Sequence, residues 1–399
     1  MQEVLKLIKP TKKEEQQIKK TAQEIIKKIK IPNTKISLGG SSAKGTWLRN
    51  NHDIDIYIKF NQKIYSGADI SDILKATLKD AKELHGSRNY FQIEKGEYTI
   101  ELIPIIDIKR VENAENITDI SPFHTKWVRK HKKYADDIRL AKAFAKANRF
   151  YGAESYIRGF SGYAMEILTI HYKGFHNLIK NAAKWKSSVS IDTAKHHKTK
   201  IQLNEAKMLS PIILVDPVQA TRNVTAVISK EKYKLFIEAA KAYLKHSSPE
   251  FFIAKDFIEE LKKKKGNILT IQILPQEGKR DVVGAKILQC FEYVQQQLEK
   301  NDFLVKEAGW HWKENENALF YFIINNEKLS EKIKHYGPPS TQKQGLKQFK
   351  QKWKGKIIKK EANRIYIELP RTHTDPNKLL KEIIKSEYIK ARVKESILD

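Results

Sequence analysis

Apolar residues recur at helical spacing along residues 4–30 (Leu5, Ile8, Ile18, Ala22, Ile25, Ile26, Ile29), which predicts one or two helices with basic outer faces. Ile31-Pro32-Asn33 stops them. KISLGG, DIDIYIKF and YTIELIPII then bring β-branched, partly alternating runs that read as strands. From about Asp136 the period turns helical in DIRLAKAFAKAN, RGFSGYAMEILTIHY and KLFIEAAKAYLKH, and Pro249 closes that stretch. The last third mixes strand-like ILTIQIL and ALFYFIIN with the helical VVGAKILQCFEYVQQQLEK, and no internal repeat emerges. The pattern predicts an α+β chain in three parts: a mixed strand-and-helix head over 1–135, a mainly helical centre over 136–250, and an α+β region over 251–399 whose internal division stays open.

Charge sharpens this picture. The 399 residues carry 75 Lys plus Arg against 47 Asp plus Glu, a net charge of +28, and the pI is near 9.7. Such an excess calls for a polyanionic partner, nucleic acid or an anionic membrane surface. No apolar run approaches the roughly 18–20 residues of a membrane span, which excludes an integral membrane protein. MQEVLKLIKP has no leader-like apolar core, so a cytoplasmic protein is expected. A single cysteine, Cys290, excludes an internal disulfide and a Cys-rich zinc site. From Lys332 to Lys360 ten lysines occur without an acid, interleaved with Tyr336, Phe349 and Trp353, which points to an RNA-contacting surface rather than a plain solvated linker.

The chemistry concentrates in GGSSAKGTWLRNNHDIDIYIKF, residues 39–60. Where the first strand ends, Gly39-Gly40-Ser41-Ser42 would let backbone N–H groups and hydroxyls approach a phosphate. Asp53 and Asp55, two apart in a strand, leave the same face about 6–7 Å from each other. Carboxylates so close repel unless a cation lies between them, and magnesium, a hard ion bound by few carboxylates plus phosphate oxygens, suits the place. A two-metal phosphoryl transfer calls for another carboxylate. Glu101 and Asp107 in YTIELIPIID share a strand face but lie about 20 Å apart, so only one can join. Glu101, amid apolar neighbours where an idle carboxylate would be costly, is the preferred third ligand, with Asp107 the alternative.

These residues resemble the polymerase-β nucleotidyltransferase superfamily and, within it, the archaeal class I CCA-adding tRNA nucleotidyltransferases. The likeness extends through SPFHTKW (121–127), RLAKAFAKANRFYGAE (139–154), RGFSGYAMEIL (158–168), NAAKW with ID soon after (181–192) and VDPVQATRNV (215–224), then thins to YGPP and PRTHTDP at 336–339 and 370–376. It implies a polymerase-β-like head, a helical central domain and a C-terminal region that binds tRNA. It further implies that Asp53, Asp55 and Glu101 bind two Mg2+ ions. Gly40, Ser41, Ser42 and Lys44 would contact the triphosphate; His124, Lys142 and Tyr151 would hold the incoming nucleotide, and Arg222 would read the base edge. Glu101 stands where an aspartate is more usual, and Lys44 where arginine is common. RGFSGYAMEIL is expected to be a packing helix, with Gly159 and Gly162 allowing close approach and no catalytic role.

The activity so implied is template-independent addition of C, C and A to the 3′ end of tRNA from CTP and ATP, with release of pyrophosphate. A poly(A) polymerase or an oligoadenylate synthetase-like enzyme shares the turn and the carboxylate pair and is the alternative. A non-catalytic RNA-binding protein on the same fold would have no need for three carboxylates. The expected partners are the tRNA 3′ end and the two nucleotides, with no membrane; the oligomeric state is open, a homodimer included.

Overall fold

The computed structural model describes residues 1–325 and 328–398, and the chain divides into two units, Met1–Lys255 and Asp256–Asp399. The first helical stretch of the chain is broken in two at Lys9-Pro10. Helix α1 (Gln2–Ile8) is followed by α2 (Lys12–Ile26), which opens on a reciprocal cap between Thr11 and Glu14. The two helices serve different cores. Val4 of α1 joins the aromatic-rich cluster of the helical region, whereas Ile18, Ala22 and Ile25 of α2 cover the first sheet.

That sheet has the order β1-β2-β5-β4-β3, built from β1 (Thr34–Leu38), β2 (Asp53–Asn61), β3 (Lys82–Leu84), β4 (Tyr90–Lys95) and β5 (Tyr98–Asp107). Alternation in β2 decides its two faces. Ile54, Ile56, Ile58 and Phe60 are fully buried against α2 and its neighbours, which turns Asp53, Asp55, Tyr57 and Lys59 to the other side. Strands β2 and β5 run parallel, with Asp55 directly opposite Glu101 and Asn61 opposite Asp107. A short helix, α3 (Gly40–Lys44), joins β1 to β2.

Helix α4 (Ser121–Lys130) leads into the helices α5 (Ala135–Ala147), α6 (Gly162–His171), α7 (Phe175–Ala182) and α8 (Lys230–Lys245). Phe144 of α5 sits at the centre of an aromatic cluster with Phe150, Phe175, Phe236, Tyr243 and Phe252. The region is not wholly helical: β6 (Val189–Asp192), β7 (Ile212–Asp216) and β8 (Gln219–Asn223) form a three-stranded sheet.

In the second unit, α9 (Arg280–Lys300) lays Val283, Ile287, Cys290, Phe291, Val294 and Leu298 on a sheet ordered β10-β11-β9-β15. Its strands are β9 (Asn267–Pro275), β10 (Val305–His311), β11 (Ala318–Ile324) and β15 (Val393–Leu398). Cys290 is fully buried there. The lysine-rich stretch is structured. It forms β12 (Lys332–Pro339), α10 (Lys343–Lys352) and β13 (Ile358–Glu361), which with β14 (Arg364–Pro370) enclose Phe349, Ile365 and Ile367.

Candidate active site

Because β2 and β5 are parallel and in register, Asp55 and Glu101 are lateral neighbours on one sheet face, with Asp53 one alternation away along β2. Asp107 lies at the far end of β5, where Lys35 reaches it at 3.5 Å. Burial raises the Asp55 carboxyl above the usual carboxylate range against the opposing charge of Lys44. Burial, with the negative charges of Asp55 and Asp53, pushes Glu101 up to about 7. Among the described residues no group of three side chains is already arranged to hold a metal ion. The donor set nonetheless fits a hard divalent ion: oxygen ligands only, two of them carboxyls that burial raises and that a cation would bring back down.

The α3 turn closes directly over these groups. Gly39 N–H donates to the Asp55 carbonyl at 2.7 Å. Gly40 has φ +53°, and a Cβ there would lie 1.7 Å from Asp55 Oδ2, so only glycine admits both the conformation and the contact. The Ser42 hydroxyl is buried and has no partner among the described residues, an idle donor in the turn assigned to phosphate. Beside the turn, a cavity of about 510 Å3 between β1, β2 and α4 includes Tyr57, Lys59 and Arg129 in its lining but none of the three carboxylates.

The other expected nucleotide contacts gather around two buried carboxylates. Lys44 Nζ donates to Glu166 Oε2 at 2.9 Å, and Lys142 Nζ to Glu166 Oε1 at 2.7 Å. Lys142 also donates to the Thr46 carbonyl and hydroxyl, at 3.3 and 3.1 Å, so its ammonium is committed within the protein. Burial alone would raise the Glu166 carboxyl, but the two lysines outweigh it and hold it down at about 2. On the other side, Asp216 Oδ2 accepts from His124 Nε2 and Arg222 Nη1, each at 3.0 Å, and Oδ1 from the Tyr163 hydroxyl at 3.0 Å. Burial keeps His124 below its ordinary value despite Asp216. Tyr151 is half-buried beneath Lys146, whose Nζ lies 5.2 Å from its ring centre.

Sequence reasoning passes over Glu166, Asp216 and Tyr163. Helix α6 starts at Gly162, after a turn, and is more than packing, because it carries both Tyr163 and Glu166. The available signal was Glu166 itself, the lone acid in the apolar run GYAMEILTIH. Gly162 has the role of a spacer: a Cβ would come within 2.8 Å of the Tyr151 hydroxyl and 3.7 Å of Lys142 Nζ.

A sheet with paired carboxylates under a glycine-serine turn defines a nucleotidyltransferase, and residues 18–124 match the family model described as the nucleotidyltransferase domain. Residues 136–253 match the second domain of tRNA nucleotidyltransferase, and 278–399 the C-terminal domain of the CCA-adding enzyme. The CCA-adding enzyme of Nanoarchaeum equitans is 37% identical over 95% of this chain and 96% of its own length. That of Saccharolobus islandicus is 29% identical over 97% and 93%. The chain belongs to the CCA-adding enzyme family. Among solved structures, the Cid1 poly(U) polymerase with Mg 3′-dATP bound is similar at a TM-score of 0.49 and 15% identity, over 63% of this chain and 97% of that one.

Proposed function

We infer that the protein adds C, C and A to the 3′ end of tRNA, taking the nucleotides from CTP and ATP. The observation that carries the chemistry is the lateral pairing of Asp55 with Glu101 beneath the Gly40 turn; family membership supplies the substrate. The terminal 3′ oxygen forms a bond to the α-phosphorus as the bond to pyrophosphate breaks. Asp53, Asp55 and Glu101 would hold divalent cations, two Mg2+ ions in this reading, which supply charge neutralisation and a lowered pKa for the attacking hydroxyl. Ser41, Ser42 and Lys44 would orient the triphosphate. His124 and Arg222, fixed by Asp216, would face the base, where a planar guanidinium can read an acceptor edge.

We propose the same division of labour as along the sequence: 1–135 as the catalytic head, 136–250 as the nucleotide and primer-end domain, and 251–399 as the tRNA-binding region. No helix among the described residues is long and apolar enough to cross a membrane, and we place the protein in the cytoplasm with its substrates. All the groups assigned here come from one chain.

The test uses a tRNA transcript lacking CCA, given CTP and ATP together. Three additions and a stop are expected, whereas an A-only ladder would reassign the protein as a polyadenylating enzyme. Asp53→Ala should abolish incorporation and leave tRNA binding intact; full activity of that variant would remove the metal assignment.

A further inference from the structure

The two lysines on the phosphate side do not point freely at the site. Both are anchored to one buried acid, Glu166, which is 1% exposed and lies on α6. Its two oxygens are fully engaged: Oε2 accepts from Lys44, while Oε1 accepts from Lys142 and from the Thr46 hydroxyl at 2.6 Å. Lys44 and Thr46 lie at the end of the phosphate turn, Lys142 comes from α5 and Glu166 from α6, so one carboxylate ties three segments together. The charges do not cancel. One carboxylate against two ammonium groups leaves a surplus positive charge beside the turn, and both lysines are also felt by Asp55.

We propose that Glu166 is a positioning residue of the nucleotide site: it holds Lys44 and Lys142 beside the phosphate turn, in the place an incoming triphosphate would occupy, and away from the catalytic carboxylates. Without it, Asp55, which already feels the Lys44 charge, would compete for that ammonium, and a lysine drawn onto that carboxylate would be lost to the triphosphate. Lys142 contributes through this anchor rather than as a free phosphate ligand, since its donors are taken by Glu166 and Thr46. Tyr163, one turn before Glu166, completes the arrangement: the Lys44 ammonium stands 5.0 Å from its ring centre, and its hydroxyl meets Asp216, so α6 spans both halves of the nucleotide site.

The inference rests on the nucleotidyltransferase reading, and the test separates the two. Glu166→Gln keeps the shape and removes the charge. We expect the KM for CTP and ATP, and their dissociation constants measured without tRNA, to rise roughly ten- to a hundredfold. The kcat at saturating nucleotide should change by less than about threefold, and tRNA affinity should be unchanged. Glu166→Asp, which keeps the charge, should recover part of the loss. In a Lys44→Met background Glu166→Gln should have a much smaller effect, because the lysine it positions is gone. If Glu166→Gln does not fold, the neutral pair Glu166→Gln with Lys142→Met removes both buried charges together and should show the same nucleotide defect. Wild-type nucleotide binding in either folded variant, or a loss confined to kcat, overturns the proposal. Absence of any nucleotide incorporation by the wild-type protein would overturn the functional reading instead.

Discussion

Gly40 and Glu101 show how far single residues govern this site. Any side chain at position 40 must displace the Asp55 carboxylate or shift the turn. Gly40→Ala is therefore expected to reduce CTP incorporation by about a hundredfold or more, because misplacement by about 1 Å costs that much, while circular dichroism stays near wild type. Glu101 has a different consequence. Its ordinary value of 4.5 is pushed up to about 7, so between those pH values the native state holds a proton that the unfolded chain has lost. Without divalent cations, stability contributed by this group is complete below about pH 4.5 and is lost as pH rises through 7, amounting to about 3 kcal/mol. Urea melts in chelator at pH 5 and pH 8 should show that decline, Glu101→Gln should flatten it, and added Mg2+ at pH 8 should restore stability. A melt midpoint independent of both pH and Mg2+ would contradict the placement of Glu101 at a cation site.

At the scale of elements, the phosphate turn is held from behind by α5. Arg139 is buried and donates through Nε to the Trp47 carbonyl at 3.1 Å and through Nη2 to the Gly45 carbonyl at 2.8 Å, while Lys142 one turn on takes Thr46. Arg139→Met should cost about 2–3 kcal/mol in chemical denaturation, the range for buried hydrogen bonds to a charged group, and should weaken nucleotide binding as the turn loosens. This junction also marks where sequence reading stops. Strands β2 and β5 were legible because Ile54, Ile56 and Ile58 alternate with Asp53, Asp55 and Tyr57. The pairing of Asp55 with Glu101 was not, since a parallel register is set by tertiary packing and no local turn encodes it. The β6–β8 sheet escaped because its strands are four or five residues long, too short for a period to show. In β12 and β13 lysines mask the alternation that buries Ile365 and Ile367 of their partner β14. Glu166 was not legible because a buried ionic cluster depends on residues from distant segments, which periodicity does not reveal.

Across the whole molecule, the +28 charge becomes intelligible beside the acidic trio Asp53, Asp55 and Glu101. The carboxylates of the site suit cations, and the cationic excess of the chain suits an RNA backbone. Neutralising six or more phosphates predicts that tRNA affinity falls roughly a thousandfold between about 50 and 200 mM salt. A filter-binding titration showing a flat salt response would detach the charge from RNA. The two units also offer separate handles. Cys290, the sole thiol of the chain, is sealed between α9 and its sheet in the second unit, and burial pushes its pKa up to about 11. A thiol-reactive dye can reach it only when that unit opens, so the labelling rate is a native clock for breathing of the second unit alone, with no engineered probe. A labelling rate slowed by tRNA, and untouched by CTP or ATP, would localise the RNA's ordering effect to that half of the chain.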